Sequence, residues 1–251
     1  MKNLLWKNIW QAVAAIVFLI AVWVVAYFAV GNELIIPSFS DSLKEIGGLF
    51  QSGGFWRGLG MSVWRAIIAF FLSFIFAVVL AVISYLSPSF GGFLAPVVSA
   101  LRSLPIFAVL LILLSFLGAG EAPIAVAFLS LFPMLYVGVL AGLSSVDRGL
   151  IAVSRVQGTS LWRRITAIYA PLAAPYVLKE AGAALSFSVK LIVSAEVLAN
   201  TARSLGGMMQ EAKIYMEISQ LFALVGVSFL VGLLMEFVLS LLAAAAERKI
   251  K

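Results

Sequence analysis

The 251 residues are 63% hydrophobic and only 11% charged, with a mean hydropathy of +1.13, whereas soluble domains carry about 25% charged residues. A soluble core cannot bury that much apolar surface, so lipid must solvate most of the chain. Cys 0 and His 0 exclude disulfides, thiolate nucleophiles, imidazole bases and the usual zinc sites, and the net charge of +6 fits the basic inner loops of a membrane protein rather than nucleic acid.

An apolar stretch of about 20 residues crosses a bilayer. The first predicted span is Gln11–Val30. It follows Lys2 and Lys7 as a secretory leader would. Its apolar run is longer than a cleavable core and no small-x-small site precedes Gly31, so a retained helix is expected. Gly31–Gly58 then reads as a polar-apolar segment with an amphipathic piece, Ser42–Phe50, lying at the outer surface. Five further spans are predicted at Leu59–Leu86, Phe93–Leu117, Pro123–Leu143, Tyr176–Ala199 and Leu221–Ala246. Pro96, Pro105, Pro123 and Pro133 are expected to kink or end helices. Gly138 and Gly142 form a small-xxx-small face for close packing, within the chain or between two copies. Trp6, Trp10 and Trp56 fall where interfacial aromatic anchors belong.

Six spans put both termini on one side, and charge asymmetry makes that side cytoplasmic. The inner set is then Lys2, Lys7, Arg102, Arg148, Arg155, Arg163, Arg164, Lys179, Arg248, Lys249 and Lys251. The outer set holds Lys44, Arg57, Arg203 and Lys213 with the acids Glu33, Asp41, Glu45, Glu121, Glu211 and Glu217. The expected fold is therefore an all-α integral membrane protein of about six transmembrane helices, one membrane domain over residues 1–251.

Charged residues also fall inside or near the spans. Lys190 shares a helix face with Ser186 and Ser194 at i, i+4 spacing. Such a polar stripe lines a solute path, where an ammonium favours an anion; alternatively Lys190 pairs with Glu236 in the sixth span or snorkels. Glu196, toward the outer end of the fifth span, lines or gates that path or simply reaches the interface. Arg65, near the outer end of the second span, is expected to reach the interface.

The cytoplasmic stretch between the fourth and fifth spans runs Ile151-Ala-Val-Ser-Arg-Val-Gln-Gly158-Thr-Ser-Leu-Trp-Arg-Arg-Ile-Thr-Ala-Ile168-Tyr-Ala-Pro171. Gly158 lets the backbone turn between two short helices. The second presents Leu161, Trp162 and Ile165 beside Arg163 and Arg164, a pattern also found in helices lying on headgroups.

This stretch resembles the signature loop of binding-protein-dependent ABC importer permeases, Glu-Ala-Ala, three residues, Gly, nine residues, Ile, one residue, Leu-Pro. Gly158, Ile168 and Pro171 hold the required spacing, while Ala152, Val153 and Ser154 replace Glu-Ala-Ala and Ala170 replaces Leu. Ile36-Pro37-Ser38-Phe39, Leu101-Arg-Ser-Leu-Pro105-Ile-Phe-Ala108, Phe116-Leu-Gly118-Ala-Gly120-Glu121, Phe132-Pro133, Ala141-Gly142 through Asp147, and Ser194-Ala195-Glu196-Val-Leu198 with Leu205-Gly206 are similar to segments of the nitrate, sulfonate and taurine permease group.

The resemblance implies a bacterial inner-membrane permease working as a homodimer, since no second half is encoded here. It further implies two ABC ATPase subunits, which use ATP and Mg, and an extracytoplasmic solute-binding protein. Ser160–Ile165, with Thr159, takes the position of the helix that contacts the ATPase. The implied substrate is an organic or inorganic anion such as a sulfonate, taurine or nitrate, or else a neutral or cationic metabolite such as a pyrimidine vitamin precursor. The chain has no G-x-x-x-x-G-K-[ST] loop, and Gly118-Ala-Gly120 and Gly206-Gly207 lack the strand–helix setting of a nucleotide site. It is expected to hold no cofactor and to catalyse nothing. A rival reading is a stand-alone ion-coupled carrier or channel; it calls for an internal repeat, which the sequence does not display.

Overall fold

The structure, a computed structural model, describes the backbone of residues 2–250 and the side chains of residues 10–241 other than 12, 13 and 148. The side chains of Lys2, Trp6, Lys7, Arg148, Arg248, Lys249 and Lys251, used above for orientation and anchoring, lie outside the described residues. All regular elements among the described residues are helical. They are α1 (Lys2–Val30), α2 (Phe39–Gln51), α3 (Gly53–Leu86), α4 (Pro88–Ser103), α5 (Ile106–Ser144), α6 (Arg148–Val156), α7 (Leu161–Arg164), α8 (Ala170–Ala199), α9 (Leu205–Ile214) and α10 (Ile218–Ile250).

Serine starts many of them. Ser38, Ser52, Ser87, Ser160 and Ser204 each accept a backbone N–H at the head of α2, α3, α4, α7 and α9, which satisfies a donor that the helix itself leaves free. The Ser38 cap starts α2 at Phe39, ahead of the expected Ser42. The Ser38 hydroxyl and then Lys44 hold the exposed Asp41 carboxyl below the usual range.

Among the described residues four helices are long and apolar enough to cross a membrane, Gly53–Leu86, Ile106–Ser144, Leu161–Ala199 and Ile218–Leu241, and Ala14–Val30 is a shorter apolar helix. The expected third span, Phe93–Leu117, is not one helix. Pro105 has no N–H to continue the ladder and biases Leu104 to extended backbone, so α4 stops at Ser103 and α5 begins at Ile106. Leu101 and Arg102 then line a hollow with Ala141 and Glu180, which sets Arg102 near the end of α5 that leads into α6.

Gly118 bends α5 sharply, with φ 74 and ψ 175. The two limbs fold together: Leu110 before the bend shares a small core with Ala122 and Val126 after it, and with Ala195 of α8. The expected fourth span is the second limb.

The bundle core forms where α3, the second limb of α5 and α8 meet. Ala66, Ala69, Ser73, Ala77 and Ala81 make a buried stripe of small side chains down α3, and small residues let membrane helices approach closely. Gly138 and Gly142 serve the same purpose against α8: a methyl group on Gly138 would strike Glu180, and one on Gly142 would touch Tyr176. That small-xxx-small face therefore packs within the chain. Beyond the core, α10 lies on α8 and α2 on α10. Trp23 ties α1 to this layer through Pro37 O at 3.0 Å and the rings of Phe39 and Phe222.

Candidate functional site

Two ends of the bundle hold the candidate residues. At one, α6 and α7 are joined by a turn whose backbone explains the sequence. Gly158 has φ 69, the left-handed conformation that glycine adopts without Cβ strain. The Thr159 N–H donates to Ser154 O at 3.1 Å and the Gly158 N–H to Arg155 O at 3.0 Å, closing α6 in the manner of a Schellman motif. The Thr159 hydroxyl adds a 2.7 Å bond to the same Ser154 carbonyl. Ser160 then caps α7.

The turn is anchored from behind and bare in front. Ile151, Ser154 and Tyr169 are buried, and the Tyr169 ring packs on Tyr85 at the end of α3, centroids 5.3 Å apart. Val156 is 90% exposed and Trp162 74% exposed. With Val153, Leu161 and Arg163 they form an apolar, basic-edged surface at the tip of the bundle. Arg164 turns inward, its Nε buried without a partner among the described residues. Ile165–Tyr169 is a π turn that carries α7 into α8 without a break. Pro171 cannot donate to the carbonyl one turn back, and a wider turn just ahead of it absorbs that mismatch. Ile168 and Pro171 lie on this continuous stretch.

Sequence reasoning missed the centre of the other end. Arg65 does not reach the interface: it is 8% exposed and its Nη1 lies 2.9 Å from Oε1 of Glu196, which is fully buried. The Ser62 hydroxyl donates to Glu196 Oε2 at 2.6 Å, and the Gly206 N–H donates to the same oxygen at 3.3 Å. Arg65 Nε donates to Gly120 O at 3.2 Å, just past the α5 bend, and Thr201 Oγ1 donates to Ala119 O at 2.7 Å. Ser62 also accepts the Leu205 N–H at 2.9 Å. One buried charge pair thus clasps α3, α5, α8 and α9 together. Gly206 is required for the approach, because a Cβ there would collide with Glu196 and with the backbone of Val193 and Val197. The available signal is the rule that ions inside membranes find partners, applied to these two residues.

Glu196 does not share the surface of the serine–lysine stripe. Lys190 and Ser194 are exposed on α8, whereas Ser186 is buried with its hydroxyl unpartnered among the described residues. Ser186 and Lys190 lie against Gly232 of α10. Glu236 is exposed and forms no ion pair with Lys190: the ion pairs among the described residues are Lys44–Asp41 and Arg65–Glu196. Charged side chains gather at both ends. Arg155 lines a cavity with Tyr169, while Arg57, Arg203 and Glu211 line one cavity and Glu33, Glu45 and Glu217 another at the clasp end.

Comparison with known proteins gives this geometry a context. Residues 73–251 match the family described as binding-protein-dependent transport system inner membrane component. The chain is 27% identical over 220 residues to the taurine transport system permease protein of Escherichia coli (strain K12), covering 85% of this chain and 80% of that one. It is 25% identical over 235 residues to a putative aliphatic sulfonates transport permease protein of Bacillus subtilis (strain 168), covering 92% and 83%. A crystal structure of an amino acid ABC transporter matches with TM-score 0.61 at 18% identity, over 83% of this chain and 97% of that one. That likeness concerns the fold alone. With most of its length inside the family match, the chain belongs to the binding-protein-dependent inner membrane permeases of ABC importers.

Proposed function

We propose that this permease forms the membrane path of an ATP-driven importer in the bacterial inner membrane, moving a small anion such as a sulfonate or taurine. The observation that carries the reading is the anchored turn at Gly158, which holds out an apolar surface that no described residue covers. A separate ATPase subunit, two copies per transporter, docks there and makes this the cytoplasmic end. Thr159 to Ile165 form the contact, and Ile168 and Pro171 pass its movement into α8. The clasp end then faces outward, where a binding protein delivers the solute. Six crossings with both termini inside follow, with the first limb of α5 in the third. Two copies of the permease complete the path.

Because Val156 and Trp162 are exposed, charging them leaves the fold intact. The double change Val156→Asp with Trp162→Asp is expected to abolish co-purification of the ATPase while the permease still inserts and elutes as a single species. Undiminished ATPase recovery would refute the docking surface. Uptake by the permease alone in proteoliposomes would instead establish the ion-coupled carrier.

The anionic substrate rests on sulfonate and taurine relatives and on the exposed ammonium of Lys190 beside Ser194. Lys190 and Ser194 form the open face of the path stripe, with Ser186 buried behind them against α10, and Glu196 holds its outer end in place. Lys190→Met is expected to lower uptake while stability is unchanged, since no ion pair is broken. Full uptake in that variant removes Lys190 from the path.

A further inference from the structure

At the clasp end a cavity of about 690 Å³ opens between the start of α3, the loop after α8, and α9. Its lining includes Arg57, Asn200, Arg203 and Glu211, with the bare backbone of Gly54 and Gly207. Two arginines from distant parts of the sequence therefore border one hollow, Arg57 with its Nε donating to Gly53 O at 3.3 Å. Neither is tied to a carboxylate, since the ion pairs among the described residues lie elsewhere.

The loop holds its arginine in an unusual way. Arg203 has φ 52, left-handed backbone that residues with a Cβ rarely adopt, whereas Asn200, at φ 48, is the kind of residue that such backbone admits at the end of a helix. Such strain persists only when surrounding structure enforces it. The enforcement is visible beneath the cavity. Thr201 is fixed to Ala119 O, Ser204 Oγ donates to Thr201 O at 2.8 Å, and the Gly207 N–H donates to Ser204 Oγ at 2.9 Å. Thr201 and Gly207 also line the cavity, so this bonded network holds the loop that displays Arg203.

Paired guanidinium groups are suited to planar or tripodal oxyanions, which they grip with charge-assisted hydrogen bonds. Glu211 lowers the net charge of the lining to a single positive, which weakens its hold on a dianion more than on a monoanion. We propose that this cavity is a reception site for a small singly charged oxyanion, a sulfonate or carboxylate, separate from the Lys190 stripe. The proposal rests on the reading that this end faces outward and meets arriving solute.

The test is titration of the full permease, purified with its ATPase, with ethanesulfonate at constant ionic strength. Saturable binding is expected, weakened on the order of tenfold by Arg57→Gln and by Arg203→Asn, as for loss of a charge-assisted bond. Asn accepts the left-handed backbone, so the second change leaves the loop in place. Sulfate is expected to bind more weakly than ethanesulfonate, and Glu211→Gln to narrow the difference. Absence of saturable binding, or binding unchanged in both arginine variants, overturns the site. Unchanged ethanesulfonate binding combined with lost uptake would also overturn it, assigning the arginines to binding-protein docking instead. ATPase co-purification reports separately on the coupling reading, and it is expected to persist in all three variants.

Discussion

Glu196→Gln should destabilise this permease more than any change on its lipid-facing surface. The carboxylate is fully buried and takes the Arg65 guanidinium, the Ser62 hydroxyl and the Gly206 N–H. Removing its charge strands a buried arginine, and breaking a buried pair from one side costs about 3–5 kcal/mol. That is a large share of the roughly 5–15 kcal/mol by which a protein is stable. Arg65→Met strands the carboxylate and should cost a similar amount. The double variant removes both charges and should recover most of the loss, because contacting residues are not additive. Thermal unfolding of the three purified variants checks this. An unchanged melting temperature for Glu196→Gln would mean that the pair contributes nothing. The exposed Lys44–Asp41 pair makes a useful contrast: separating it should cost only about 0–1 kcal/mol.

The second large effect concerns transport rather than stability. Gly158→Val should abolish uptake with the permease still inserted. No heavy atom of the described residues lies within 4 Å of a Cβ built on Gly158, so the obstacle is not space but the φ of 69, a genuine outlier for a β-branched residue. Valine forces the backbone out of that region, the Thr159 bonds to Ser154 are lost, and α7 points elsewhere. Gly158→Asn supplies the control, since asparagine tolerates the left-handed region. It should keep most of the uptake. Normal transport by the valine variant, or equal loss in both, would remove the turn from the coupling mechanism.

The two ends differ in how legible they are in the sequence. The Gly158 turn is local: a glycine between two short amphipathic stretches specifies its own conformation, and a dozen residues suffice to read it. The apolar spans are legible for the same reason, through long unbroken runs. The third span misleads because hydropathy does not register that Pro105 ends one helix while Gly118 reverses another. The clasp is illegible because Ser62, Arg65, Glu196 and Gly206 meet only after three helices have packed. Each charge, viewed alone near a span end, resembles one that snorkels. The pairing rule points instead to Lys190 and Glu236, whose side chains are exposed and form no pair. The helix α2 begins earlier than its amphipathic pattern suggests because Ser38, which reads as part of a loop, is its cap.

The clasp also bears on synthesis. Arg65 and Glu196 are 131 residues apart, so at about 5–20 residues per second the arginine leaves the ribosome roughly 7–26 s before its partner. During that interval α3 must enter the bilayer carrying an unneutralised guanidinium, a burden of about 2.5–3.5 kcal/mol on insertion scales. Each leucine, isoleucine, phenylalanine or valine near the centre of the helix returns about 0.3–0.6 kcal/mol. The dense apolar run from Ile67 to Ile83 offsets the burden. The extreme hydrophobicity of α3 thus has a temporal use: it keeps an incomplete chain in the membrane until α8 arrives to neutralise it.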